Sequence, residues 1–128
     1  MSRILLIEDD QYIGNVYERA FRLAEHEIAI ETDGEAAWVS LSTKSPLPDI
    51  ILLDLTLPKM SGRELFSKIK SDVRFDGIPV VVLTNVFDRD TEKELLAAGA
   101  ELYLVKIDYK PHALLEKIDG LIHSHSPA

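Results

Sequence analysis

The side chains of this sequence that could do chemistry are four carboxylates, one hydroxyl and one ammonium group, all at the ends of short apolar runs. They belong to Glu8, Asp9, Asp10, Asp54, Thr84 and Lys106. Clustered carboxylates repel one another, so a site that gathers them needs protons or a cation. Their hard oxygen atoms suit Mg²⁺, which binds one or two protein carboxylates and keeps positions open for water and phosphate.

The same set of groups could also handle a phosphoryl group. A carboxylate is ionised at neutral pH and can act as a covalent nucleophile. A phosphoryl group that reaches it needs the charge on its oxygens neutralised. Mg²⁺, the ammonium of Lys106 and the hydroxyl of Thr84 would do this. These residues therefore predict phosphoryl transfer onto a carboxylate, provided that the fold brings them together.

Five predicted strands alternate with five predicted helices, and this alternation would bring the groups together. The apolar runs predicted as strands cover residues 3–7, 28–30, 49–53, 79–83 and 102–105. The predicted helices cover residues 11–24, 35–41, a stretch from Ser61, a stretch capped by Asp90 or Thr91 that ends near Gly99, and 111 to about 123. Such alternation implies a doubly wound α/β fold with a parallel sheet and right-handed crossovers. Ligands of these sheets bind at the carboxyl ends of the strands, where the strand order reverses.

Local signals at the helix starts separate structural residues from chemical ones. Asp10 stands directly before the first helix, so we expect it to cap that helix rather than to bind metal. Ser61 and Glu64 have the spacing of a capping box. Gly34 and Gly62 are interpreted as turn and cap glycines, because no glycine-rich nucleotide fingerprint is present.

Composition excludes several classes of function. The 128 residues are the usual length of one domain, and the absence of cysteine excludes disulfides, thiolate metal sites and thiol catalysis. The net charge is −8, with lysines and arginines scattered, so direct nucleic-acid binding is not expected. No apolar stretch approaches a membrane span, and the apolar strand at the N-terminus leaves no room for a signal peptide. We therefore expect a cytoplasmic protein without membrane contact.

Four stretches of the chain resemble the receiver domains of two-component response regulators. They are residues 4–10 (ILLIEDD), 48–62 (PDIILLDLTLPKMSG), 79–84 (PVVVLT), and Gly99-Ala100 followed by Tyr103 and Lys106. Each is weak alone, but their joint order and spacing are specific and span essentially the whole chain. The resemblance implies a flavodoxin-like sheet of five parallel strands in the order 2-1-3-4-5 with five helices. We expect residues 1–123 to form the domain and 124–128 a disordered tail.

The resemblance also implies a metal site and a switch. Asp54 would be the phosphoryl acceptor. Mg²⁺, or Mn²⁺ in its place, would bind Asp9 and Asp54 directly, Glu8 through water, and the backbone carbonyl of Thr56.

Two further groups would contact the phosphoryl group, namely Lys106 and, after a movement, the hydroxyl of Thr84. Tyr103 would be the aromatic residue whose ring turns inward on activation, although a strand tyrosine with its hydroxyl in water is an open alternative.

As a receiver, the chain would take its phosphoryl group from a sensor histidine kinase or a histidine phosphotransfer protein. It would catalyse only its own phosphorylation and dephosphorylation, and signal to an unknown downstream protein as a monomer or a phosphorylation-dependent dimer. Either it acts alone or it is a fragment of a longer protein. The alternatives are a receiver-like scaffold that needs no phosphorylation and a small Mg²⁺-dependent phosphohydrolase. Thr56 stands where such a hydrolase would want a second carboxylate.

Two features depart from the family pattern. Ile107 follows Lys106 where relatives commonly carry proline in a cis peptide. A cis bond before a residue other than proline costs about 2.5–4 kcal/mol, so we expect a trans bond there. Val86 and Phe87 follow Thr84-Asn85, where many relatives carry polar residues. We expect these apolar groups to impede the water that would attack an acyl phosphate.

Overall fold

A computed structural model describes residues 2–125, and five parallel strands form the centre of the fold. The strands are β1 (Arg3–Ile7), β2 (Glu27–Glu31), β3 (Ile50–Asp54), β4 (Val80–Thr84) and β5 (Leu102–Val105). Their order across the sheet is β2-β1-β3-β4-β5. This confirms the predicted doubly wound, flavodoxin-like sheet, with its reversal of strand order between β1 and β3.

Helices cover both faces of the sheet. They are α1 (Gln11–Leu23), α2 (Gly34–Thr43), α3 (Gly62–Lys70), α4 (Arg89–Ala97) and α5 (Pro111–His125), with short 3₁₀ turns at Val73–Phe75 and Lys106–Asp108. Side chains of α1 and α5 pack on one face, and side chains of α2, α3 and α4 pack on the other. None of the helices within residues 2–125 has the length and apolar character needed to cross a membrane.

Strand β3 lies in the centre of the sheet and carries Asp54 at its carboxyl end. All five of its residues are buried, from Ile50 to Asp54, because helices cover both of its faces. Successive side chains of a strand point to opposite faces, so Ile51 and Leu53 pack with α2 and α3 while Ile50 and Leu52 pack with α1 and α5. The carboxylate of Asp54 stands at the carboxyl end of this buried apolar run.

Two predicted caps are confirmed. Asp10 caps α1, since its Oδ1 accepts a hydrogen bond from the Ile13 N–H at 3.1 Å. Ser61 caps α3, since its Oγ accepts from the Glu64 N–H at 3.1 Å.

The predicted start of α4 is wrong, and α5 ends two residues beyond its approximate predicted end. Asp88, not Asp90 or Thr91, caps α4: its carboxylate accepts from the Asp90 N–H at 3.1 Å and from the Thr91 hydroxyl at 2.9 Å. The helix can begin at Arg89 because Asp88 has the extended backbone of an N-cap. Helix α5 reaches His125, so residues 124 and 125 are helical rather than part of a tail. Residues 126–128 of the predicted tail lie outside the described residues.

Asp88→Ala is expected to lower the Tm by about 3–5 °C, because it removes the side chain that satisfies the first N–H groups of α4. Asp90→Ala is the matched control two residues away, since the Asp90 carboxylate does not cap the helix. Thermal unfolding followed by circular dichroism would measure both variants. Equal losses in the two would show that Asp88 is not the cap.

Candidate functional site

Three carboxylates meet where the strand order reverses. Strands β1 and β3 pair in parallel with Ile7 opposite Leu53, so the residues directly after these two, Glu8 and Asp54, come side by side at the carboxyl ends of the strands. Asp9 lies next to them, and one oxygen atom from each of the three carboxylates lies within 4.8 Å of the others. Glu8 and Asp54 are buried, whereas Asp9 is exposed. The acidic cluster predicted from the strand ends is therefore present.

Lys106 reaches this cluster from the end of β5, which is two strands away from β3 in the sheet. It follows β5 as the first residue of a 3₁₀ turn, and only 9% of its surface is exposed. Its Nζ donates to Glu8 Oε1 at 2.5 Å and to Asp54 Oδ2 at 3.0 Å. One ammonium therefore bridges the two buried carboxylates.

Backbone N–H groups occupy the remaining carboxylate oxygens. The Thr56 N–H donates to Asp54 Oδ1 at 3.1 Å, and the Asp10 N–H donates to Glu8 Oε2 at 3.1 Å. Both oxygens of each buried carboxylate are therefore held by a donor. A buried charge that is fully hydrogen-bonded in this way keeps one orientation.

The electrostatics of the cluster leave an excess of negative charge. Burial raises the pKa of Glu8 from its ordinary value of 4.5 to about 7, and the neighbouring Asp54 adds to the rise, while the Lys106 hydrogen bond opposes it. Burial also works against the charge on Lys106, but its hydrogen bonds to Glu8 and Asp54 outweigh this and raise the pKa of the ammonium. One cation faces three carboxylates. The donor set thus fits a divalent metal ion bound at hard oxygen ligands.

The two predicted switch residues have different partners in the β4–α4 loop. The Thr84 hydroxyl donates to the Val86 carbonyl at 3.1 Å, within its own loop. The Tyr103 ring is buried and meets the Phe87 ring edge to face, with centroids 6.3 Å apart. The Tyr103 ring therefore packs on a residue of the β4–α4 loop, while the Thr84 hydroxyl is engaged with Val86.

The peptide between Lys106 and Ile107 is trans, as predicted. Within residues 2–125, the cis peptide bond is the one between Ser45 and Pro46. The side chain of Ile107 is 85% exposed. The 3₁₀ turn at Lys106–Asp108 thus directs Lys106 inward and Ile107 outward without a proline.

Gly62 is a site residue whose role the sequence did not reveal. A Cβ at this position would lie 2.5 Å from the Cα of Leu55 and 2.8 Å from its carbonyl oxygen, directly beside the backbone of Asp54. Real Cβ atoms essentially never come within 3.0 Å of such atoms. The glycine lets α3 begin against the end of β3, and only this tertiary contact, not a local pattern, distinguishes it from an ordinary cap glycine.

Glu8→Gln is expected to stabilise the metal-free protein at pH 8 by about 1–2 kcal/mol, and by much less at pH 5. The pKa of Glu8 is raised on folding, so the native state binds the extra proton between about pH 4.5 and 7. The stabilisation that this bound proton gives the native state is complete at low pH and is lost as the pH rises through 7. The glutamine removes the surplus buried charge and leaves Lys106 paired with Asp54.

Urea unfolding in EDTA at both pH values would measure this difference. The exposed residue Glu35 offers a matched Glu→Gln control for the loss of one carboxylate. A gain for Glu8→Gln that is equal at pH 5 and pH 8 would contradict the assignment of the raised pKa to Glu8.

Comparison with known proteins identifies close likenesses over most of the chain. The family model described as response regulator receiver domain matches residues 4–119. Response regulator Rcp1 of Synechocystis sp. is 36% identical over 110 residues, which are 80% of this chain and 75% of that protein. The transcriptional regulatory protein QseB of Haemophilus influenzae is 38% identical over 114 residues, which are 89% of this chain and 48% of that protein. The chain thus spans about half the length of QseB.

Solved structures show the same likeness. The Mn²⁺-bound form of Rcp1 superposes with a TM-score of 0.77 at 35% identity, covering 83% of this chain and 81% of that one. The phosphorylated cyanobacterial phytochrome response regulator RcpA superposes with a TM-score of 0.86 at 29% identity, covering 98% and 96%. With the family match across the acidic site and Lys106, these likenesses lead to one conclusion: the chain belongs to the receiver domain family of two-component response regulators.

Proposed function

We propose that Asp54 accepts a phosphoryl group from the phosphohistidine of a sensor histidine kinase or a histidine phosphotransfer protein. The observation that carries this proposal is the setting of the Asp54 carboxylate. It is buried at the end of β3, with one oxygen held by Lys106 and the other by the Thr56 N–H. Two more carboxylates stand beside it. A nucleophile fixed in this way loses little orientational freedom when it reacts.

The metal site of this proposal consists of Asp9, Asp54 and the Thr56 carbonyl as direct ligands, with Glu8 holding a metal-bound water. The ion would be Mg²⁺, with Mn²⁺ as a substitute, and the Mn²⁺-bound structure of the relative Rcp1 supports such a site. When bound, the ion would neutralise charge on the transferring phosphoryl oxygens. Exposed Asp9 gives the site an opening to solvent.

In the reaction, an oxygen of Asp54 forms a bond to phosphorus while the bond from phosphorus to the histidine nitrogen breaks. The imidazole nitrogen leaves with the electron pair of the broken bond, and it can then take up a proton from solvent. Lys106 already bonds Asp54 Oδ2 at 3.0 Å and can move to a phosphoryl oxygen without leaving the site. The Thr56 N–H can continue to orient the acceptor carboxylate.

The switch follows from charge repair at this site. A phosphoryl group on Asp54 would draw the Thr84 hydroxyl away from the Val86 carbonyl and so shift the β4–α4 loop. Phe87 lies in that loop and packs on Tyr103, which makes it the contact that transmits the shift to β5. The surface formed by α4, β5 and α5 would then be the one that a downstream protein reads.

In this role the chain acts in the cytoplasm on protein partners and does not contact nucleic acid itself. It is no turnover enzyme beyond its own phosphorylation and dephosphorylation. The relative RcpA, which shares the fold across nearly the whole chain, is a phosphorylated response regulator in its crystal structure, and this supports the same modification here.

Incubation with Mg²⁺ and a small phosphodonor is expected to add the mass of one phosphoryl group to the chain, as measured by intact mass spectrometry. Asp54→Asn should abolish the gain, because the amide is a poor nucleophile. Asp49→Asn is the matched control, since Asp49 stands just before the same strand and is exposed.

A mass gain that survives in Asp54→Asn would place the acceptor elsewhere. No gain in the wild type, with the protein folded and Mg²⁺ present, would instead favour a scaffold that works without phosphorylation.

Val86→Glu is expected to raise the dephosphorylation rate severalfold. Val86 is 73% exposed and lies in the β4–α4 loop, where its own carbonyl holds the Thr84 hydroxyl, so a carboxylate side chain there can orient the attacking water. Val73→Glu is the control, because Val73 is 80% exposed but precedes β4, on the side of its amino end and away from the site at the carboxyl ends of the strands. Loss of phosphate from each purified phosphoprotein would be followed by intact mass. If Val86→Glu kept the wild-type rate, apolar shielding of the acyl phosphate would be refuted.

A further inference from the structure

The loop between β3 and α3, residues 55–61, has no regular structure, yet it carries two groups of the site. The Thr56 N–H holds Asp54 Oδ1, and the Thr56 carbonyl is the third metal ligand of the proposed function. Leu55, Leu57 and Met60 of this loop pack partly buried against the core, whereas Thr56, Pro58 and Lys59 are exposed. The position of Thr56 therefore depends on contacts made by its neighbours in the loop and not on burial of its own side chain.

The start of α2 contacts this loop through backbone atoms. The Gly34 N–H donates to the Pro58 carbonyl at 3.4 Å, and the same carbonyl accepts from the Met60 N–H at 2.8 Å. A Cβ on Gly34 would fall onto the Met60 carbonyl oxygen, 2.7 Å from the Met60 Cβ and 2.9 Å from its carbonyl carbon. The loop thus runs through the space that the missing side chain of Gly34 leaves free.

The helix is the more fixed of the two partners. Asp33 caps α2 by accepting from the Ala36 N–H at 2.7 Å, and Ala37 is fully buried against the sheet. The loop is anchored at its ends, where Leu55 N–H bonds the Leu83 carbonyl at 3.2 Å and Gly62 N–H bonds the Leu55 carbonyl at 3.0 Å. A side chain at position 34 would therefore displace the middle of the loop.

We infer that Gly34 is a positioning residue for the phosphorylation site. By leaving room for the backbone of Met60, it sets the path of residues 55–61 and so places Thr56 against Asp54 and the metal. This inference rests on the proposed function, since it assigns Thr56 a part in metal binding. Gly34 itself touches neither the metal ligands nor the reacting atoms.

The test compares Gly34→Ala with Gly120→Ala in the full chain. Both changes are chemically identical and both lie in helices, but a Cβ at Gly120 meets nothing within 4 Å. Alanine favours a helix over glycine, so propensity alone would stabilise both variants. Mn²⁺ binding, measured from the electron paramagnetic resonance signal of free Mn²⁺, should weaken about tenfold or more in Gly34→Ala and stay unchanged in Gly120→Ala.

A merely structural role would lower the Tm of Gly34→Ala without changing its Mn²⁺ affinity at a temperature where circular dichroism shows it folded. That result would overturn the inference. If wild type and both variants bind Mn²⁺ as expected but the wild type takes up no phosphoryl group, the proposed function fails while the positioning role stands.

Lys59 provides a second route in case Gly34→Ala does not fold. Lys59 is an exposed residue of the loop in the left-handed region, at φ 68°. Lys59→Gly keeps this conformation easily, whereas Lys59→Val strains it, and the two variants have the same charge. Weaker Mn²⁺ binding by Lys59→Val than by Lys59→Gly would support control of the metal site by the loop path. Equal binding would overturn it.

Discussion

The bridge that Lys106 makes between Glu8 and Asp54 is the interaction on which the rest of the site depends. Two carboxylates buried side by side are costly, because each has lost its water and each repels the other. One ammonium compensates only part of this charge, and Asp9 adds a further carboxylate at the opening. The site is therefore stable enough to form but remains short of positive charge, which is the property that makes it able to hold a cation.

The order of the strands explains why a lysine performs this task. Neighbouring strands lie about 4.8 Å apart, so β5 is about 10 Å from β3 and farther from β1. A side chain that starts after β5 must pass over the end of β4 to reach Asp54 and Glu8. Only a long, flexible stem can do so, and the residue that ends β4, Thr84, is short enough to leave the way open. The β4–α4 loop and Lys106 thus share one space above the sheet.

Sequence patterns predicted what depends on periodicity and strand ends. Continuous apolar runs identified the buried strands, and the parallel sheet then brought Glu8, Asp54 and Lys106 to one edge. The cap of α4 was missed because Asp88 and Asp90 both precede helix-forming residues, and only the backbone conformation decides between them. The raised pKa of Glu8 and the space beside Gly34 depend on burial and on contacts distant in sequence, which no local pattern contains.

The separate contacts of Thr84 and Tyr103 bear on how such a switch can be coupled. The buried Tyr103 ring packs on Phe87, whereas Thr84 is held by the Val86 carbonyl, so the β4–α4 loop links the two residues in addition to the pairing of β4 with β5. The buried ring therefore does not require the Thr84 hydroxyl to leave its partner. A hydrogen bond of this kind contributes about 1 kcal/mol, a small barrier for a phosphoryl group that offers charged oxygens instead. Phe87 lies in the loop that would move, so it must keep or exchange its contact with Tyr103.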